Sequence, residues 1–285
     1  MFKVDKLSFS YPKNTKETIK SISFDIKPGE IFGFLGPSGA GKSTTQKILI
    51  KLLDDYQGVI TYDGKDLKSM DSSFYENIGV SFEMPIHFSK LTALENIEFF
   101  KKLYKNQADT DALLKSVGLY EDRFKMVGEF SKGMKIRLNF VRAMLNNPKM
   151  LFLDEPTNGL DPVNAKVIKD LIKTYRANGG TVFITSHIMA DIDQLCDRVA
   201  FIVDGEIREI DSPRNLKIRY GKRSVNIEYL NEGKTSLAKF DLDGLNSNEA
   251  FFEILKNNEI ETIHTGETTL EEIFIQVTGV GLHHE

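Results

Sequence analysis

Gly36-Pro37-Ser38-Gly39-Ala40-Gly41-Lys42-Ser43-Thr44 is the stretch on which the reading of this chain turns. It has the form G-x-x-x-x-G-K-S. The run Glu30-Ile31-Phe32-Gly33-Phe34-Leu35 before it has the length and apolarity of a buried strand. After it, Ile48, Leu49, Leu52 and Leu53 recur at helical spacing. A strand, a glycine loop and a helix in that order are the setting in which the pattern binds phosphate. The glycines let backbone N–H groups turn inward, and the helix beginning near Lys42 adds the positive end of its dipole. Lys42 is expected to reach the terminal phosphates of a nucleotide, and the Ser43 hydroxyl to be a Mg²⁺ ligand.

Working outward, 285 residues allow one large domain or two ordinary ones. Lysine and arginine (37) fall short of aspartate and glutamate (41), so no overall basic field recruits nucleic acid, and no such partner is expected. Apolar runs are as short as Val199–Val203, whereas a membrane span needs ~20 residues. Met1-Phe2-Lys3-Val4-Asp5-Lys6 lacks the apolar core of a signal peptide. A single cysteine, Cys196, forms no internal disulfide, in keeping with a reducing compartment.

Residues 2–9 read as an edge strand, and Ile22, Phe24 and Ile26 alternate with polar residues before the turn Lys27-Pro28-Gly29-Glu30. Val59–Tyr62 and Ile78–Phe82 are further strands. From about 88 to 148 the pattern is helical, with a capping box at Thr92-Ala93-Leu94-Glu95, a second helix over Asp109–Val117 and a third over Met134–Leu145. Strands return at Met150–Leu153, Thr181–Thr185, Arg198–Val203 and Glu206–Ile210, with a helix over 163–177, the spacing of a parallel sheet. The helical block therefore reads as a subdomain inserted between strands. Ser212-Pro213-Arg214-Asn215 reads as a boundary, giving a domain over 1–212 and an accessory domain over 213–285. In the latter, Ser224–Leu230 and Leu237–Phe240 are candidate strands. Glu249–Lys256 and Thr269–Val277 are candidate helices, the second opened by a capping box at Thr268-x-x-Glu271.

Met150-Leu151-Phe152-Leu153-Asp154-Glu155 is a buried strand ending in two carboxylates. The carboxyl ends of parallel strands face the ligand crevice. Asp154 can orient Mg²⁺ there, and Glu155 can polarise a water, a role typically worth ~10²–10⁴-fold in rate. Thr181–Ser186 followed by His187 repeats the arrangement, which places His187 beside the terminal phosphate and the attacking water. Ser131, before the helix that carries Ile136 and Leu138, serves equally as an N-cap or as part of an anion site.

Taken in order, these motifs resemble the ATP-binding subunits of ABC transporters, over about residues 2–215. Gly36–Thr44 is similar to Walker A, Met150–Glu155 to Walker B, Phe130–Met134 to the Leu-Ser-Gly-Gly-Gln signature, Gly159-Leu160-Asp161 to the D-loop and His187 to the switch histidine. Tyr11 falls where the family stacks an aromatic on adenine. The resemblance implies an α/β P-loop ATPase with an antiparallel β part, the inserted helical subdomain and a small α+β appendage. It implies ATP and Mg²⁺ as ligands, with Ser43, Glu83 and Asp154 toward the metal. It also implies a head-to-tail pair, of two copies or of paralogues, in which Ser131, Gly133 and Asp161 meet nucleotide.

The chain departs from the family in two motifs. Glu83 stands where a loop glutamine is expected, and Lys132 and Met134 stand at signature glycine and glutamine positions. Such variants, and the tail Thr269-Leu270-Glu271-Glu272-Ile273-Phe274, resemble bacterial exporters of drugs and peptides. The first reading is thus an ATPase on the cytoplasmic face of the membrane, with its permease on separate chains. Met84, Pro85, Ile86 and Phe88 are either the surface that meets the permease or ordinary core. The alternatives are a soluble ATPase of translation or DNA repair, against which stand the single cassette and the lack of heptads, and a regulator without turnover, against which stand Glu155 and His187.

Overall fold

A computed structural model describes residues 1–12, 16–84, 86–231 and 233–281. The chain divides into two compact units, Met1–Ser212 (with Val280 and Gly281) and Pro213–Gly279.

The first unit begins with strands β1 (Phe2–Phe9), β2 (Ile19–Ile26) and β3 (Ile31–Leu35), then helix α1 (Lys42–Leu49). β4 (Gln57–Tyr62), β5 (Lys65–Asp66) and β6 (Ile78–Ser81) follow. Helices α2 (Ala93–Lys101), α3 (Thr110–Ser116) and α4 (Lys132–Ala143) separate β6 from β7 (Met150–Asp154). α5 (Pro162–Ala177), β8 (Thr181–Ser186), α6 (Met189–Leu195), β9 (Arg198–Val203) and β10 (Glu206–Asp211) complete it.

Among the described residues the larger sheet runs β10-β9-β3-β8-β7-β6, parallel except for the β9–β10 hairpin. β7 is apolar until Asp154 and wholly buried, as a strand covered on both faces must be. Helices α2–α4 form the insertion between β6 and β7, which pair directly in parallel, Ile78 opposite Met150. The second sheet runs β2-β1-β4-β5 and is antiparallel. Here the expectation of an edge strand at 2–9 is corrected. β1 lies between β2 and β4, and its Phe2, Val4, Leu7 and Phe9 are buried because the backbone is paired on both sides.

The core lies between the two sheets. Phe2 meets Phe152 edge-on at 5.8 Å between ring centroids, and Phe24 stacks on Phe32 at 5.6 Å. Each fully buried phenylalanine of this kind stabilises the fold by ~1.5–3 kcal/mol. α1 stops at Leu49 although the apolar spacing runs on to Leu53. Lys51 turns into the left-handed region (φ +58°), and Leu52 faces solvent. The capping box at α2 forms as read, the Thr92 N–H donating to Glu95 and the Glu95 N–H to the Thr92 hydroxyl.

The second unit holds α7 (Pro213–Tyr220), β11 (Arg223–Asn231), β12 (Lys234–Asp241), α8 (Glu249–Asn257), β13 (Glu259–Glu267) and α9 (Leu270–Thr278). Its sheet is antiparallel in the order β12-β11-β13. The stretch read as a boundary contains the start of α7, with Pro213 at its first position. The capping box of α9 is corrected by one residue. Thr269 and Glu272 form it, because the Thr268 hydroxyl is already bonded to the backbone of Lys222, accepting from its N–H and donating to its carbonyl.

Candidate functional site

Parallel register decides which side chains meet. Leu35 of β3 lies opposite Ser186 of β8, and Asp154 of β7 lies opposite Thr185. The strands therefore end together, and the residues that follow them open onto one cleft of about 1160 Å³. Tyr11, Ser38, Gly39, Gly41, Lys42, Ser43, Thr44, Glu83, Asp154, Glu155 and His187 all line it.

The glycine loop takes its shape from close backbone approach. A methyl group on Gly36 would stand 2.0 Å from the Ile202 carbonyl oxygen, so only glycine fits. Gly41 precedes α1 at φ +106°, a conformation that suits glycine, and leaves the helix without a side-chain cap. The first N–H groups of α1 thus remain available to an anion. Gly36, Pro37, Ala40 and Gly41 are buried, while Ser38 and Gly39 are exposed. The Ala40 carbonyl accepts from Gly205 in the β9–β10 turn, which fixes the loop to the sheet. Lys42 donates to the carbonyls of Gly36 (2.7 Å) and Pro37 (3.0 Å), so its ammonium sits over the loop. Burial pushes the Lys42 pKa down, while Glu155, Asp154 and Glu83 push it back up.

Asp154 Oδ1 accepts from the Thr185 hydroxyl and, at 3.4 Å, from the Ser43 hydroxyl. These are hard oxygen donors of the kind Mg²⁺ prefers. No trio of His, Cys, Asp or Glu poised for a metal occurs among the described residues. Mg²⁺ is commonly held by one or two protein oxygens and otherwise by phosphate and water. Glu83 borders the cleft, exposed, and its Oε1 accepts from the Asn158 amide at 3.3 Å.

Glu155 is buried and held at both oxygens. Oε1 lies 2.9 Å from His187 Nδ1, while Oε2 accepts from the Ser186 hydroxyl (3.1 Å) and the His187 N–H (3.3 Å). Its backbone is left-handed, φ +49°, a strained conformation of the type that marks functional positions. With Nδ1 donating to Glu155, His187 keeps Nε2 for a ligand, as a lone pair in the neutral ring or as a donor in the imidazolium. Tyr11 closes the other end of the cleft. Its hydroxyl is 3.2 Å from the Thr44 hydroxyl, and its ring packs edge-on to Phe9.

Three expected site residues lie elsewhere. Ser131 is exposed at the tip of α4 and accepts from the Met134 N–H at 3.2 Å. Gly133 follows it in the first turn of that helix. Asp161 caps α5, accepting from the N–H groups of Val163 and Asn164. None of the three borders the cleft. Of the apolar segment beside Glu83, Met84, Ile86 and Phe88 are exposed, while Pro85 lies outside the described residues. Thr185 and Ser186, which hold the two carboxylates, escaped the sequence reading. Their position directly before His187, at the end of an apolar strand, is the signal that marks them.

Residues 19–158 match the family described as ABC transporter, and residues 223–267 match the fluoroquinolone efflux ABC transporter C-terminal domain. A fluoroquinolones export ATP-binding protein of Mycobacterium tuberculosis is 50% identical over 281 residues, spanning 98% of this chain and 93% of that protein. The lantibiotic transport ATP-binding protein SrtF of Streptococcus pyogenes is 35% identical over 221 residues, 76% of this chain and 94% of SrtF. Among solved structures, the ATP-binding subunit of an ABC transporter aligns with a TM-score of 0.70 at 25% identity, over 77% of this chain and 93% of that one. A dimeric ATP-binding cassette in a post-hydrolysis state, bound to ADP and Pi, aligns at 0.67 and 26% identity, over 74% and 98%. The strand-end cluster and a relative half identical over almost its whole length lead to one conclusion: this chain belongs to the ATP-binding proteins of the ABC transporter family.

Proposed function

We propose that the chain is the ATP-hydrolysing subunit of a bacterial exporter, acting at the cytoplasmic face of the membrane through a separate permease. The observation that carries this reading is Glu155. It is buried, strained and gripped at both oxygens, one of them by the His187 ring, in the cleft that Lys42 enters. Lys42 and the first N–H groups of α1 hold the terminal phosphates. Glu155 takes the proton of the attacking water, while Ser186 and His187 keep the carboxylate aimed. His187, held at Nδ1 by Glu155, offers Nε2 to the terminal phosphate. Mg²⁺, when bound, neutralises phosphate charge, and Ser43, Asp154 and Glu83 are the residues that would hold it. Tyr11 takes the adenine face.

Residues 1–212 carry this chemistry, and 213–285 form the accessory domain. Ser131, Gly133 and Asp161 serve the nucleotide of a second ATP-binding chain, arranged head to tail. Support comes from their distance from the cleft of their own chain and from the dimeric cassette among the structural relatives. Met84, Ile86 and Phe88 are the surface offered to the permease, exposed as such a surface must be. No helix among the described residues is long and apolar enough to cross a membrane. The mycobacterial relative's name points to a drug-like cargo.

The test is to express the chain with its candidate permease and measure ATP turnover in the purified membrane complex, with and without fluoroquinolone or peptide cargo. Cargo-stimulated turnover is expected. A chain that turns over ATP at the same rate free of any membrane protein, and never co-purifies with one, overturns the exporter reading.

A further inference from the structure

Lys132 stands at the third residue of the signature stretch Phe130–Met134, and its side chain lies on the backbone of Gly159. A methyl group placed on Gly159 would be 2.5 Å from the Lys132 Nζ, 2.8 Å from Cε and 3.4 Å from Cδ. Gly159 has φ +76°, so a side chain there would be strained as well as crowded. The neighbouring pair repeats the contact, since a methyl group on Gly133 would stand 3.5 Å from Leu160 Cδ2. The first turn of α4 thus rests on the turn 159–160 of the same chain.

That turn leads directly to the site. The Asn158 N–H donates to the Glu155 carbonyl at 3.1 Å, and the Leu160 N–H to the Thr157 carbonyl at 3.1 Å. The Asn158 side chain reaches Glu83, and Asp161 starts α5. Residues 155–161 are a short, hydrogen-bonded path with Glu155 at one end and Gly159 near the other. We propose that Lys132 is a positioning residue. Its alkyl stem braces the 158–161 turn from the inserted helical subdomain, so that the placement of α4 sets the placement of Glu155 and Asp161. The proposal gives the role to the stem, because two of the three nearest atoms, Cε and Cδ, are methylene carbons and the ammonium of this exposed side chain can keep its water. The proposal rests on the reading of Glu155 as the base.

Four proteins test it: the parent, Lys132→Ala, Lys132→Met and Glu155→Gln, each as the full chain, with ATP turnover, KM for ATP and thermal midpoint measured. Lys132→Ala should lose on the order of tenfold in kcat, since small misplacements of a catalytic group carry such factors. Its KM and thermal midpoint should stay near those of the parent. Lys132→Met keeps the stem without the charge and should recover most of the lost kcat. Equal losses in Lys132→Met and Lys132→Ala would overturn the brace and give the role to the ammonium. Full turnover in Lys132→Ala overturns it too, as does a loss explained by a lowered thermal midpoint. If Glu155→Gln turns over normally, the reading of the base fails first, and the brace falls with it.

Discussion

Two regions of the first unit carry polar residues with phosphate chemistry, and they use them differently. At the carboxyl edge of the parallel sheet the side chains engage one another: Ser43 and Thr185 on Asp154, Ser186 and His187 on Glu155. At the tips of α4 and α5 they engage only backbone and near neighbours. Ser131 caps one helix, and Asp161 caps the other. The first arrangement is a site whose protein groups are assembled within one chain. The second is a pair of ordinary helix caps, and a capped helix N-terminus becomes an anion site only when a ligand is brought to it. The difference teaches that the groups of the first region meet one another within one chain, whereas those of the second meet only the ends of their own helices, and it is there that the proposed function calls for a second chain.

The largest expected effect falls on the assembled half. Glu155→Gln keeps the shape and can still bond to Ser186 and His187, but the amide is a far weaker base. Turnover should drop by ~10²-fold or more while ATP still binds. Rapid-quench hydrolysis beside an ATP titration separates the two. Near-parent turnover would move the base elsewhere and dissolve the contrast between the regions.

The partner surface is tested by mixing. Lys42→Ala removes charge-assisted bonds to phosphate, each worth ~1.5–3 kcal/mol, so affinity should fall about tenfold or more. Ser131→Arg blocks the helix tip. In a two-fold pair with sites built across chains, a mixed dimer of these mutants has one site with both defects and one with neither. ATP occlusion should therefore return at one site per mixed dimer. If proven heterodimers occlude no more than either homodimer, Ser131 serves its own chain or no nucleotide at all.

The contrast also explains what could be read in advance. β3, β7 and β8 announce themselves as short apolar runs followed by glycine or a polar side chain, so Gly36, Asp154, Glu155 and His187 were legible. Thr185 and Ser186 were not, because their role depends on the register between strands far apart in sequence. β1 was misplaced at an edge because pairing partners leave no local mark. β13 was missed because Ile260, Ile263 and Thr265 alternate only loosely, with much of the strand exposed. α7 was missed because its charged residues show no apolar stripe. The contact of Lys132 with Gly159 joins two segments that share no pattern at all.

A smaller effect is expected at Glu83, which borders the assembled site yet is tied to Asn158 on the path toward the second region. Glu83→Gln removes a negative charge near Lys42 and Asp154 and keeps a side chain that can still meet the Asn158 amide. The Mg²⁺ concentration for half-maximal turnover should shift a few-fold, the scale of one partly screened charge. Superimposed Mg²⁺ curves for the two forms would leave Glu83 outside the metal's surroundings.

The smallest effect concerns the joint between the two regions. His87 follows the Glu83 loop, and its Nε2 lies 3.0 Å from the Lys135 carbonyl in α4, so it fastens that loop to the signature helix. Burial pushes its pKa down to about 4, and the nearby cations Arg142 and Lys135 push the same way, while the bond to the carbonyl resists. Well above pH 6.5 the imidazole is neutral whether the chain is folded or not, and it adds no pH dependence. Below that, the unfolded chain takes up a proton that the folded chain refuses, so stability falls as pH drops toward 4. By pH 5 the linkage is worth ~1–2 kcal/mol. His87→Gln can keep a donor to the Lys135 carbonyl and cannot titrate. Urea midpoints of both proteins should run parallel from pH 8 to 7 and diverge below pH 6.5, the parent losing more. Parallel lines down to pH 5 would mean that His87 is protonated without cost in the fold, and the joint would then be open to water and not packed against α4.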